Sequence, residues 1–513
     1  MRHRFALEID SLSRILYNGE AAGLRGRLHT RKEGLRLMQF NSYECILIFL
    51  PLLLAGYFLL NRLHLTAGKL YLTGMSAVFY CYVRPVSGLV LLASLLVNYA
   101  AAALLARPGT RGKPIVTTAV AANLFLLFYY KYVPFVLDNV NLLLGRDLHL
   151  DVLLPLGISF FTFQQISYLL HVRETGRNEK PLDYLLYILY FPKLVMGPLA
   201  EPGELIPQFD DPARKRPDAR NFACGLRLFA YGLFKKMLLA DTFAAAVGWC
   251  FADPGAVSSA DAALSMLAYT FEIYFDFSGY CDMALGISRM LNIELPINFD
   301  SPYQALSIRD FWKRWHMTLT GFLTRNVYIP LGGSRRGKLR QYANVLIVFL
   351  VSGIWHGANW TFFLWGFLHG LLSVGERIFD RALSRLNAVV RWAGSFLRVN
   401  VLWLLFRAES VSQWLCLCKT MLRFESTAVS PELLACFEIP EAALLSPLLH
   451  LSFFRGGMAL LFYLAAFGLC LVPANNARTQ DRLRPAGMAL AAAALLLGFL
   501  HLGRESVFVY FNF

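Results

Sequence analysis

The sequence predicts an all-α, polytopic membrane protein. Of its 513 residues, 57% are hydrophobic and only 16% are charged, and the mean hydropathy is +0.47. A soluble chain carries about 25% charged residues, so the deficit indicates a bilayer environment. Apolar runs long enough to cross a hydrocarbon core of about 30 Å recur along the chain, for example at 45–60, 86–106, 115–137 and 457–472. We expect about eleven or twelve transmembrane or re-entrant helices, several of them interrupted by Pro and Gly.

The formal net charge of +15 does not indicate a nucleic-acid partner. The basic residues lie in short loops between apolar runs, at 107–113, 214–220 and 335–340. Such loops stay on the cytoplasmic side and set the orientation of a membrane protein. The third loop is the exception, because it lies between two candidate catalytic histidines and is also a candidate for substrate binding.

Residues 1–37 differ from the rest of the chain. They are rich in Arg and Gly, lack a continuous apolar core and do not form a signal peptide. Either they are a cytoplasmic amphipathic extension or Met38 is the true start, and we favour the second. Residues 38–513 are expected to form a single membrane domain. The nine cysteines show no spacing typical of a metal site or a disulfide framework, and we expect neither.

Two polar features interrupt the apolar pattern before residue 300. Pro and Gly residues make 191–207 irregular, so this segment is either a surface loop or is buried in protein. Further on, Glu272 and Asp276 lie four residues apart and share one helix face. That face must meet protein or water. Neutralisation by Arg309 or Arg314 is one interpretation, and a general acid/base dyad is the other.

The clearest indication of chemistry is a pair of histidines forty residues apart, His316 and His356, each directly after a tryptophan (Trp315 and Trp355). Polar groups at membrane depth are expensive and usually mark function. Residues 308–320 are expected to form one amphipathic helix at the membrane face.

Within that predicted helix, Asp310 and Arg314 are spaced to form an ion pair. Trp312 is expected to share a face with His316.

His356 lies in the segment WHGANW, inside a strongly apolar stretch. Burial favours a neutral imidazole, the form that accepts a proton. Gly357 would let a substrate approach the ring closely. A structural role for His356 is as compatible with the residue types as a catalytic one. His369 is expected to pack or to form a hydrogen bond.

Five segments resemble the signature segments of the membrane-bound O-acyltransferases, in the bacterial branch of the alginate O-acetyltransferase type. They are LPLGISFFTF, IYFDFSGYCDMALGI, RDFWKRWHMTL, YIPLGG and WHGANWTFFLWGFLHG. The resemblance extends from about Met38 to the terminal FVYFNF and includes WLLFRA at 403–408. Several ordered motifs over most of the chain make it specific.

The resemblance implies a ring of tilted helices around a central tunnel, in the plasma membrane of a bacterium. It implies transfer of an acyl group, expected to be acetyl, to a hydroxyl of an extracellular polysaccharide such as alginate. The donor would be cytoplasmic acetyl-CoA or another thioester, with no bound cofactor, and an extracytoplasmic acetyltransferase is expected as a partner. His356 and His316 take the family's two important histidine positions.

Around these histidines, the candidate substrate or tunnel residues are Asn359, Trp355, Trp312, Trp315, Asp310 and Arg314. The candidate donor-steering residues are Arg335, Arg336, Lys338 and Arg340. A developing oxyanion would need a donor, for which Asn359, a Trp indole or His316 is available.

Two other functions compete with acyl transfer. A transporter or flippase would use the histidines as a proton relay, but no second copy of either histidine segment is present. A scaffold would hand the acyl group to an extracytoplasmic transferase. The chain also departs from the family pattern at His171, where Asp is typical, and at Glu201, where Arg is frequent.

Overall fold

The computed structural model describes residues 38–83, 85–424, 426–440, 454–472, 474–504, 506 and 508–509. Within these ranges the chain is helical and contains no β-strand, which confirms the all-α prediction. The 1–37 segment lies outside the described residues.

The first half of the domain contains ten helices within the described ranges. They are α1 (Glu44–Leu63), α2 (Leu65–Val83), α3 (Pro85–Leu105), α4 (Gly112–Leu144), α5 (Ile158–Thr175), α6 (Pro181–Leu189), α7 (Phe191–Leu194), α8 (Pro202–Asp210), α9 (Ala219–Phe234) and α10 (Asp241–Ala252). A π-helical turn, Lys235–Ala240, joins α9 to α10.

The second half, again within the described ranges, contains α11 (Ser259–Met290), α12 (Ile308–Arg314), α13 (Met317–Leu323), α14 (Lys338–His356), α15 (Trp360–Ile378), α16 (Asp380–Leu383), α17 (Ala388–Arg407), α18 (Val411–Arg423), α19 (Pro431–Ala435), α20 (Phe454–Leu471) and α21 (Pro485–Leu500).

Four described helices are long and apolar enough to cross a membrane by length and composition, namely α1, α3, α4 and α17. The α20 and α21 segments are shorter apolar helices. The 33-residue α4 is about 50 Å long, so it extends beyond a hydrocarbon core of about 30 Å. The remaining long helices carry polar side chains that face other helices rather than lipid, which lowers their hydropathy.

The 32-residue α11 lies at the centre of the fold. It packs most extensively against α9 and also contacts α10, α17 and α18. A capping box between Ser258 and Asp261 starts it, and almost all of its side chains are buried, polar ones included. The segment 191–207, which the sequence predicted to be irregular, is instead partly helical, with α7 at its start and the first residues of α8 at its end. Almost all of its residues up to Ala200 are buried, whereas Gly203, Glu204 and Pro207 are exposed. This outcome favours burial in protein over a surface loop.

Small residues let the helix pairs at the centre approach closely. A Cβ at Gly232 on α9 would lie 2.6 Å from the carbonyl oxygen of Gly279 on α11. Likewise, a Cβ at Gly353 on α14 would lie 3.1 Å from the Cα of Gly366 on α15. Glycine stripes of this kind allow backbone contact where no hydrophobic effect drives association. The α14–α15 contact sets the position of His356.

We expect Gly232→Val to lower the thermal stability of the detergent-extracted protein, because overpacking at a close crossing costs about 1–3 kcal/mol. Gly248→Ala on α10 is the control, since a Cβ there meets nothing within 4 Å. The melting temperature of the monodisperse fraction measures both. Equal melting temperatures would contradict a close α9–α11 crossing.

Candidate active site

The predicted helix over 308–320 is broken at His316. The first part ends at Arg314, the second begins at Met317, and His316 between them has a φ of 45°. The Met317 N–H donates to the Asn298 carbonyl (3.0 Å), which ties the break to a neighbouring loop. A non-glycine residue in the left-handed region costs about 1–3 kcal/mol and persists only where the surrounding structure imposes it.

The hydrogen bonds of His316 define its tautomer. Its Nδ1 lies 3.1 Å from Asn298 Oδ1, which also accepts from the N–H and the hydroxyl of Thr318 (3.2 and 3.0 Å). Because this amide oxygen is an acceptor, Nδ1 carries the proton and Nε2 has a lone pair. The ring is 1% exposed, and Nε2 has no hydrogen-bond partner among the described residues.

His356 is the last residue of α14, and α4 holds the end of that helix. The Lys131 ammonium donates to the carbonyls of Trp355 (2.7 Å) and His356 (2.8 Å). The Tyr132 hydroxyl donates to the Ile354 carbonyl (2.7 Å). The last carbonyls of a helix lack intrahelical donors, and a cation at this end also interacts favourably with the helix dipole. Three consecutive carbonyls are therefore satisfied by two adjacent residues of α4.

Aromatic rings surround both imidazoles. The Trp355 ring lies between them, with centroid distances of 6.2 Å to His316 and 4.9 Å to His356. The edges of Trp365 and Phe406 approach His356 at 5.3 and 5.1 Å. The two histidines that the sequence singled out are thus brought together around one indole, in surroundings that exclude water.

A cavity of about 760 Å³ adjoins the end of α14. Its wall carries positive, negative and apolar groups. Phe406, whose ring contacts the rings of His356 and Phe362, connects the cavity to the histidine cluster. The lining residues are Tyr130, Lys131, Leu154, Ala244, Glu272, Gly357, Ala358, Asn359, Phe362, Phe406, Arg407, Ala408, Glu409 and Val509.

Two residues after His356 have structural tasks. A Cβ at Gly357 would overlap the ring of Phe362, so this glycine makes room for packing. The Asn359 side chain caps α15 by accepting from the Thr361 N–H (3.1 Å), and it donates to the Glu409 carbonyl (2.9 Å). Both ends of the amide are engaged within the protein, although Asn359 lies in the cavity wall.

The predicted neighbours of His316 lie elsewhere. Because the helix breaks, Trp312 does not share a face with His316 as predicted, and its indole N–H instead donates to His369 Nδ1 (3.3 Å). Trp315 is buried and stacks on Phe311 with ring centroids 5.5 Å apart. His369 therefore forms a hydrogen bond, as expected.

Neither Arg309 nor Arg314 neutralises Asp276, contrary to the first interpretation of the sequence. Lys236 does so, at 2.7 Å, because the π-helical turn after α9 brings it against α11. Arg309 pairs with Asp380, and Arg314 pairs with Asp310 at 3.0 Å, as the spacing predicts. Neither arginine reaches the carboxylate that the sequence alone assigned to it.

The four basic candidates for donor steering are exposed and outside the cavity wall, namely Arg335, Arg336, Lys338 and Arg340. Where the family frequently has Arg, Glu201 forms an ion pair with Arg325 and accepts from the Ser167 hydroxyl. His171 lies close by, since a Cβ at Gly203 would be 3.4 Å from its ring.

Two residues that position the histidines, Lys131 and Asn298, were not predicted from the sequence. Lys131 could have been predicted, because a single lysine inside the apolar run 115–137 indicates function or burial in protein. Asn298 lies in a loop with no distinguishing pattern, and only the fold brings it to His316.

Residues 148–415 match the model of the membrane-bound O-acyltransferase family, and this segment contains both histidines, the cavity's Glu272 and Arg407, and the α11 core. The chain belongs to the membrane-bound O-acyltransferase family. It is thus a multi-pass membrane protein of an acyltransferase family, as the resemblance predicted.

Three relatives of this O-acyltransferase show how far the similarity extends. A peptidoglycan O-acetyltransferase of Helicobacter pylori is 34% identical over 517 residues, covering 93% of this chain and 98% of the relative. A protein named probable alginate O-acetylase, of Pseudomonas putida, is 37% identical over 387 residues, covering 73% and 78%. A teichoic acid D-alanyltransferase of Streptococcus thermophilus is 30% identical, covering 47% and 60%.

We expect Asn298→Leu to reduce the rate of acyl transfer by about 10²-fold, because His316 would lose the acceptor that orients its ring. Thr318→Val removes a hydroxyl from the same amide oxygen but leaves the imidazole bond intact, and it should retain most activity. Transfer rates in membranes with matched protein levels test both. The same loss in both variants would contradict an orienting role for Asn298.

Lys131→Met is expected to lower kcat by at least about tenfold, because the end of α14 would lose two charge-assisted hydrogen bonds. Tyr132→Phe removes one neutral bond and should cost less. Lys113→Met, at the exposed start of the same helix, serves as the control. Wild-type kcat in Lys131→Met would show that α4 does not position His356.

Proposed function

We propose that the protein transfers an acetyl group from cytoplasmic acetyl-CoA to a hydroxyl of an extracytoplasmic cell-envelope polysaccharide, with His356 as the general base. The observation that carries this proposal is the cluster of His356, Trp355 and His316 beside a cavity of about 760 Å³. A transporter that used the histidines as a proton relay would need a continuous polar path. The side chains whose rings contact His356 are instead aromatic, namely Trp355, Trp365 and Phe406.

The glycan of peptidoglycan is the acceptor that we favour. The relative named for peptidoglycan acetylation matches over 93% of this chain, whereas the alginate relative matches over 73%. Alginate, which the sequence resemblance suggested first, is the second candidate. Both polymers present sugar hydroxyls, so the chemistry at the site would be the same.

The orientation of α14 and α4 supports an acceptor that enters from outside. Each helix begins within a basic segment, at 335–340 and 107–113, and such segments stay in the cytoplasm. From Lys338 to His356 the axis rises about 27 Å, which is close to the thickness of a hydrocarbon core. The cavity at the end of α14 therefore lies toward the extracytoplasmic face of a bacterial plasma membrane.

In the proposed reaction, the acceptor oxygen attacks the thioester carbon while His356 takes the hydroxyl proton. The C–O bond forms, the C–S bond breaks, and the imidazolium returns the proton to the departing thiolate. General-base catalysis of this kind contributes about 10²–10⁴-fold. Exclusion of water by the surrounding rings protects the thioester from hydrolysis.

Of the candidate oxyanion donors near His356, the indole of Trp365 has an unengaged N–H among the described residues, and the enclosed ring would have to rotate to bring it to an oxyanion in the cavity. Asn359 already donates to a carbonyl, and the neutral His316 tautomer has no proton on its free nitrogen. Trp365 is fully buried, and its Nε1 has no acceptor among the described residues. Its ring lies 5.3 Å from that of His356.

An extracytoplasmic acetyltransferase that presents the polymer to the cavity is the partner that we propose. It would meet the protein at the face where the cavity lies. The scaffold alternative differs in one respect, since it requires no histidine-dependent step within the membrane protein.

The test is transfer of label from [1-¹⁴C-acetyl]acetyl-CoA into polymer or partner protein, in membranes that carry each variant. We expect His356→Ala to lose transfer by at least about 10²-fold, and His316→Ala to be strongly impaired, at wild-type protein levels. His149→Ala, an exposed histidine, should be unaffected. Equal transfer by the wild type and His356→Ala would overturn the proposal and leave the scaffold or the transporter.

A further inference from the structure

Two carboxylates of α11, one helical turn apart, have different surroundings. Asp276 is fully engaged, since Oδ1 accepts from Lys236 (2.7 Å) and Oδ2 accepts from the Val509 N–H (3.1 Å). Lys236 also binds Asp241 (2.8 Å), which completes a buried ionic cluster. Every feature of Asp276 is that of a structural residue, which removes it from the acid/base dyad that the sequence left open.

Glu272 has no comparable set of partners. It is 7% exposed, its Oε2 has no hydrogen-bond partner among the described residues, and it forms no ion pair within that part of the chain. The positive charges of Arg407 and Lys236 act on it only from a distance. Buried polar atoms in native proteins are nearly always paired, so an unpaired carboxylate oxygen requires an explanation.

Glu272 is part of the cavity wall. Its Oε2 is enclosed by protein atoms, so Oε1, which has no hydrogen bond among the described residues, is the oxygen that a molecule in the cavity can reach. Among the residues of the wall, Glu409 is exposed and Asn359 is half-buried, whereas Glu272, Phe362 and Phe406 are buried. We call this buried part of the wall the inner end of the cavity. It includes Phe406, whose ring lies 5.1 Å from that of His356.

The chemistry of a carboxylate restricts what it can bind. Its oxygens accept hydrogen bonds, so the group that it binds must carry an O–H or N–H. Both proposed substrates carry such groups, since coenzyme A has amide N–H and hydroxyl groups as well as phosphates. The cavity lies toward the face from which the acceptor is proposed to enter, and this position favours the acceptor over the donor.

We propose that Glu272 binds a hydroxyl of the acceptor at the inner end of the cavity and is a specificity-determining residue of the enzyme. This proposal rests on the proposed function. Glu272 holds the acceptor so that the attacking hydroxyl faces His356, and it takes no part in bond making or breaking. Arg407 and Lys131, in the same wall, balance its charge when the cavity is occupied.

The experiment measures initial rates of label transfer from acetyl-CoA into lysozyme-released disaccharide fragments of peptidoglycan, with the full chain in membranes. Glu272→Met keeps the side-chain length but removes the acceptor oxygens, and Glu272→Gln keeps one of them. We expect Glu272→Met to raise the KM for the disaccharide about 10- to 100-fold, with the KM for acetyl-CoA unchanged. Glu272→Gln should lie between Glu272→Met and the wild type.

The matched control is Glu432→Met, an exposed carboxylate outside the cavity wall, which should behave as the wild type. An unchanged KM for the disaccharide, or a raised KM for acetyl-CoA instead, would overturn the role of Glu272. If Glu272→Met does not accumulate, the KM values of Glu272→Gln for the disaccharide and for acetyl-CoA provide the same test. Loss of the proposed function is seen separately, as wild-type transfer in His356→Ala.

Discussion

A helix that ends inside a membrane protein must find donors for its last carbonyls, and α14 finds them on α4. Lys131 and Tyr132 supply three hydrogen bonds to Ile354, Trp355 and His356, with donor–acceptor distances of 2.7–2.8 Å. Without water, each unpaired carbonyl would cost several kcal/mol. These bonds fix where α14 ends, and that end determines the position of the His356 ring, the wall of the cavity and the start of α15.

The same constraint acts at His316. The chain leaves α12, turns through a left-handed residue and starts α13, and Asn298 accepts four hydrogen bonds from residues at this break. Its carbonyl takes the Met317 N–H, and its side-chain oxygen takes His316 Nδ1–H and both donors of Thr318. Both imidazoles therefore lie at helix ends, where backbone hydrogen bonds to other elements hold them rigidly. This rigidity suits a reaction that depends on positions within about 0.5 Å.

Composition and apolar runs were sufficient to predict the helical membrane fold, and the motifs were sufficient to predict the family. The spacing of Asp310 and Arg314 predicted their ion pair, because that interaction is local to one helical turn. The predicted ion-pair partner of Asp276 was wrong. Lys236 reaches α11 through a π-helical turn, and such a turn leaves no periodic pattern in the sequence. The continuous helix over 308–320 was wrong for a similar reason: the amphipathic pattern persists through a break that a distant loop imposes.

The polar groups near the two histidines fall into two sets. In the first set, hydrogen bonds to other parts of the protein hold helices and loops in place. These residues are Lys131, Asn298, Asn359 and Asp276. His316 Nε2, Trp365 Nε1 and Glu272 Oε2 are equally buried, and the described residues offer them no partner. Because protein atoms enclose all three, a substrate can pair with them only after a side chain rotates, and the cost of leaving them unpaired in the empty protein favours such a rotation.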